Sequence, residues 1–172
     1  MWNPLRRQGK RNFRVQSVSV NIPYVGGATF VPDEAEVRAA WALFVELSTR
    51  VPIQPVDAEY GSIKETLNSI YAIFGETRGV LKEFGPNIAH GKNSLGPLAL
   101  GVLNNGLRPF LTKWHTEFAA HEGKRDPTKE PMQHERDWPL GTEFRKAIDE
   151  LRLNLEQYRD ELLVIAGARM ED

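Results

Sequence analysis

Apolar positions recur along most of this chain at alternating intervals of four and three, the spacing of helices that bury one face. The clearest series is Phe144, Ile148, Leu151, Leu155, Tyr158, Leu162 and Ile165. It predicts a long helix following Thr142 and ending at Gly167. A second series, Ile63, Leu67, Ile70, Phe74, Thr77, Leu81 and Phe84, lies between a Ser62–Glu65 capping box and a Gly85-Pro86 stop. Asp33, with Glu36 three residues on, opens another predicted helix whose apolar face reads Val37, Ala40, Trp41, Phe44, Val45 and Ser48. Val51-Pro52 ends that helix, and the prolines of PIQPVDAEYG make the next stretch a linker. A fourth helix is predicted from Ser94, with Pro97 in its first turn, where a missing N–H costs little. Leu98, Ala99, Val102, Leu103, Gly106, Phe110 and Trp114 give it a wide apolar face, and Pro109 is expected to kink or break it near Gly106–Arg108. Residues Gly123–Pro139 read as a polar loop.

Before Pro32 the period changes. FRVQSVSVNI (residues 13–22) alternates apolar with polar positions and is rich in valine, as a strand should be. Pro23 interrupts it, and Gly26-Gly27 supplies the positive φ that a tight turn needs before Thr29-Phe30-Val31. A lone hairpin is marginal in water, so this one must pack on the rest of the chain or pair with another. The expected fold is mainly α: a four-helix up-and-down bundle over residues 32–172, preceded by an N-terminal β-hairpin arm over residues 1–31. The narrow seams of the second and fourth helices could alternatively pair with another subunit.

Composition narrows the class. The 172 residues are 41% hydrophobic and 26% charged, which suits one soluble domain able to bury roughly 70% of its unfolded surface. Cysteine is absent, which excludes disulfide scaffolds, thiolate metal sites and cysteine nucleophiles. No apolar run reaches the roughly 20 residues of a membrane span, and no secretory signal is recognisable, so a cytoplasmic protein is expected. Net charge is −1, unevenly spread: residues 1–32 hold five basic residues and no acid, leaving the remainder net acidic. Arg6, Arg7, Lys10, Arg11 and Arg14 are therefore candidates for contact with a polyanion, either nucleic acid or an anionic membrane surface.

Catalytic signatures are missing from the sequence. There is no Walker-type phosphate loop, no nucleophile elbow and no readable carboxylate pair, so a non-enzymatic role is expected. His90, His115, His121 and His134 are scattered among acids, with Glu117 and His121 on one helical face. Bundle di-metal proteins need Glu-x-x-His motifs, and none occurs here, so neither metal nor cofactor is expected. Leu107–His115, LRPFLTKWH, mixes basic and aromatic groups most densely. Arg108, Lys113, Trp114 and His115 could line a docking face, since tryptophan and arginine anchor interfaces. Alternatively Phe110, Leu111 and Trp114 are core, with Arg108 and Lys113 on the solvated side. Gly101 and Gly106 each lower helix propensity by about 1 kcal/mol, which suits a hinge or a close backbone approach.

The strings FGETRGVLKEFGP (residues 74–86) and LRPFLTKWH (residues 107–115) also resemble those of a group of bacterial proteins that join a short β segment to a helical domain. The likeness spans most of residues 17–118. It implies that Arg78, Gly85, Pro86, Arg108, Pro109, Trp114 and His115 belong to a recurring pattern, and it brings no activity with it. The expected function is a non-catalytic interaction module, an adaptor or sensor subunit of a bacterial assembly related to defence or signalling, that partners another protein or a second copy of itself. The partner-binding candidates are then Arg108, Lys113, Trp114, His115 and Arg78. A helical nucleic-acid-binding subunit using the basic arm, and a bundle that binds a ligand or metal, are the alternative expectations.

Overall fold

A computed structural model of the chain describes residues 16–50 and 61–168. The arm cations Arg6, Arg7, Lys10, Arg11 and Arg14, and most of the proline-rich linker, lie outside the described residues. The elements in chain order are strands β1 (Val18–Ile22) and β2 (Gly26–Phe30), then helices α1 (Glu34–Ser48) and α2 (Ile63–Phe84). After them come α3 (Leu95–Gly101), a π-helical segment (Val102–Leu107), α4 (Arg108–Glu122), α5 (Pro131–Arg136) and α6 (Gly141–Ile165). The protein is thus mainly helical with a two-stranded antiparallel hairpin. No helix among the described residues is long and apolar enough to cross a membrane.

The hairpin packs on the helices. Val18 pairs with Phe30 and Ile22 with Gly26. This register turns Val20, Ile22 and Ala28 into the common core. The sequence places the turn at Gly26-Gly27, but it forms three residues earlier. Val25 N–H donates to the Ile22 carbonyl at 3.1 Å, with Pro23 and Tyr24 at the centre. Tyr24 has φ 67°, the left-handed value that the third position of a type II turn demands. The outer edge of β1 is occupied as well: Asn21 N–H donates to Glu161 and Gln157 donates to the Asn21 carbonyl, both from α6.

α1 begins as its sequence predicts, with Asp33 and Glu36 exchanging side-chain and backbone hydrogen bonds in a complete capping box. Its buried face differs from the expected one. Ala39, Ala40, Leu43, Phe44 and Leu47 face inward, whereas Trp41 is 46% exposed and Val45 39%. The helix has apolar residues on two flanks, and packing against α2, α3 and α6 selects the leucine flank.

At α2 the Ser62 hydroxyl accepts from Glu65 N–H, but the return bond comes from elsewhere: Ile63 N–H and the Ser62 hydroxyl both donate to buried Glu135 of α5. Residues 123–139 are therefore not simply a loop. They hold α5, whose His134 and Glu135 are buried, followed by buried Trp138. Long helical stretches lie where the sequence predicts helices, and α5 adds a helix between α4 and α6 that the expected four-helix set lacks.

Pro109 neither breaks nor sharply interrupts its helix. Gly101, Val102, Leu107 and Arg108 all keep right-handed helical angles, so α3, the π segment and α4 run on as one body. The wider π turn immediately before Pro109 accommodates its ring and its missing N–H. In α6 all seven predicted positions are buried.

Candidate functional site

Two helices, α2 and α4, build an open concavity. On α2 a spacing of three, three and four residues puts Asn68, Tyr71, Phe74 and Arg78 on one face. On α4, Arg108, Leu111, Thr112 and His115 follow the same logic. The two faces meet along an open groove of about 590 Å³, within the size range of ligand sites. Arg108 lies by Phe74, and His115 lies by Tyr71, so α2 and α4 run antiparallel and the groove has two unlike ends.

One end is cationic. The Arg108 guanidinium stands 5.7 Å from the centre of the Phe74 ring and donates to Asn104 Oδ1 through Nε and one terminal nitrogen. Arg78 Nε donates to the Phe74 carbonyl at 3.3 Å. Both guanidinium groups keep free N–H donors, and neither has a carboxylate within ion-pairing distance among the described residues. No acidic residue among the described residues lines the groove. Asn104 belongs to the π segment, so the irregular turn that admits Pro109 also positions Arg108. Such segments recur at functional sites.

The other end is aromatic and polar. The Tyr71 ring is 60% exposed and meets the His115 imidazole edge-on, with centroids 6.1 Å apart. His115 Nε2 is buried, with no hydrogen-bond partner among the described residues. The Asn68 amide and the Thr112 hydroxyl are likewise uncommitted among the described residues. Leu111 and Phe74 supply the apolar floor between the ends.

The sequence-predicted site residues thus divide. Arg78, Arg108 and His115 converge on the groove, coming from the two strings singled out in the sequence. Trp114 points the opposite way, 3% exposed, into a cluster with Trp138 and Phe144 at centroid distances of 6.0 and 5.4 Å. Lys113 lies outside the groove too, bonded to Glu143 at 2.7 Å and 4.3 Å above the Trp114 ring. Of the two readings of LRPFLTKWH, core tryptophan with surface cations describes Trp114 and Lys113. Asn68 and Tyr71 escaped sequence reading because they sit off the apolar line of α2. A tyrosine beside that line, one turn from Phe74, was the available signal.

The other histidines have separate duties. His121 and His134 stack with centroids 3.9 Å apart and planes 6° from parallel. Each directs Nε2 to the other's backbone carbonyl, at 2.8 and 3.0 Å. That reciprocal arrangement ties the end of α4 to α5. His90 meets Asp33 at 3.2 Å, at the start of α1. Among the described residues no group of three or more His, Asp or Glu side chains is placed to hold a metal ion. Two exposed carboxyls steady the α4–α6 connection: hydrogen bonds from Thr128 hold Asp126 below the usual carboxylate range, and those from Lys129 and Gln133 do the same for Asp137.

Comparison of the chain with protein-family models, with curated protein sequences and with solved structures finds no significant match.

Proposed function

We propose that this protein is a non-catalytic binding module, the sensor or adaptor subunit of an assembly, and that its α2–α4 groove holds a multiply charged oxyanion such as a phosphoryl group. The observation that carries this reading is the pair Arg78 and Arg108, which flank Phe74 with no carboxylate among the described residues to neutralise them. Two guanidinium groups at one end of a groove repel each other, and an anion seated between them turns that repulsion into attraction. Arginine's planar fork matches phosphate oxygens bidentately. A dianion answers two positive charges better than a single carboxylate does. His115 meets a tyrosine ring instead of a hydroxyl or carboxylate, an arrangement suited to holding a ligand more than to activating a nucleophile.

Calorimetric titration with inorganic pyrophosphate tests the reading. Arg78→Ala and Arg108→Ala are each expected to weaken binding about tenfold or more, since a hydrogen bond to a charged group contributes about 1.5–3 kcal/mol. Both residues are exposed, so the fold should survive. Equal affinity in the wild type and both variants would overturn the assignment.

A further inference from the structure

Resting on the phosphoryl-binding reading of the groove, we infer that its ligand is a nucleoside phosphate, with the phosphates between Arg78 and Arg108 and the base on the ring of Tyr71. The polarity of the groove carries the inference. From Arg108 to His115 is seven residues of helix, a run of about 10 Å. An inorganic phosphate occupies only the cationic end of such a groove, whereas an extended nucleotide reaches both ends.

The far end has the chemistry of a base platform. Tyr71 offers an aromatic face that is 60% exposed. Its edge-on contact with His115 fixes the ring's orientation without covering it. Around it, the Asn68 amide and the Thr112 hydroxyl hold donors and acceptors that no other described residue uses. Those are the groups that read the edge of a base. Between the two ends, Phe74 gives an apolar floor for a sugar. An acidic peptide would use the arginines and leave the stacking platform and the unpaired amide idle. The nucleotide uses all of them.

The test is calorimetric titration of the full chain with ADP, GDP, CDP, UDP, inorganic pyrophosphate and a glutamate-rich decapeptide, repeated on Tyr71→Ala and Arg108→Ala. The tightest nucleoside diphosphate is expected to bind at least tenfold better than pyrophosphate, because base–aromatic stacking is worth that much. Tyr71→Ala should remove that advantage and leave pyrophosphate affinity unchanged, while Arg108→Ala weakens both. If all diphosphates match pyrophosphate and Tyr71→Ala alters none of them, the nucleotide inference is overturned and the phosphoryl reading stands. If neither pyrophosphate nor any nucleotide binds, both are overturned. Tighter binding of the decapeptide than of every nucleotide overturns the inference and assigns the groove to an acidic protein segment.

Discussion

The ring of Tyr24, at the tip of the hairpin, occupies the space that a side chain at Gly106 would need. A Cβ built on Gly106 would collide with the Tyr24 ring, and one built on Gly101 would collide with Val25. Residues five apart do not share a face of an α-helix, but the π turn between them widens the helix enough to align both glycines under the hairpin. Asn105 of the same turn donates to the Tyr24 carbonyl at 3.3 Å. The hairpin tip, the π turn and Arg108 of the groove are therefore one connected unit.

Gly106→Ala should destabilise the protein by about 1–3 kcal/mol, the usual penalty for forcing extra volume into a packed contact. Adding Tyr24→Ala should recover part of that loss. A double-mutant cycle from urea unfolding checks it, and strict additivity of the two changes would show that the contact does not matter.

Glu135 joins α5 to the start of α2, accepting from Ile63 N–H at 2.7 Å while buried. Glu36 does the same between α1 and α3, accepting from Leu95 N–H at 3.0 Å. Glu135→Ala strands the Ile63 N–H and the Ser62 hydroxyl and should cost about 1–3 kcal/mol, with Glu135→Gln costing less because one acceptor remains. Hydrogen exchange should show faster loss of the Ile63 amide proton in Glu135→Ala, and unchanged protection there would refute the cap.

Trp114 separates a core from a docking role. Trp114→Ala should cost about 3–5 kcal/mol, as large-to-small changes in a packed aromatic cluster do. Lys113→Ala, in an exposed ion pair, should move stability by less than about 1 kcal/mol. Thermal or urea unfolding of the two variants compares them directly. A small effect for Trp114→Ala would return that residue to the surface.

Tyr158 is buried in α6, its hydroxyl has no hydrogen-bond partner among the described residues, and burial pushes its pKa up. Tyr158→Phe should therefore be neutral or stabilising by about 1 kcal/mol. The pH dependence has a definite sign. Above about pH 10 the unfolded chain releases this proton first, so the folded state holds more protons and stability falls as pH rises. Urea midpoints between pH 9 and 11 should decline less steeply for Tyr158→Phe than for the wild type. An identical slope would mean the hydroxyl ionises freely in the fold.

Period and capping signals made α6 and the Asp33–Glu36 start of α1 legible, because both are set by local chemistry. Tertiary choices were not. Trp41 and Leu43 are both reasonable inward residues for α1, and only the neighbouring helices decide between them. The π turn was visible as a difficulty at Gly106–Arg108, yet a kink and a widened turn leave the same trace in the sequence. α5 was missed because its buried residues, His134 and Glu135, are polar and bury themselves through hydrogen bonds to other segments. Half of the groove was readable: Arg78, Arg108 and His115 stood out by type and by the resemblance of their strings. Tyr71 and Asn68 gained meaning only when α2 and α4 came together.

The central claim is that Arg78 and Arg108 form one anion site. The most direct measurement follows the arginine Nε–H NMR signals as inorganic pyrophosphate is added. The signals of Arg78 and Arg108 should shift together along one saturating curve, while that of Arg152, paired with Glu156, stays in place. Saturating shifts at other arginines, or none at these two, would contradict the account.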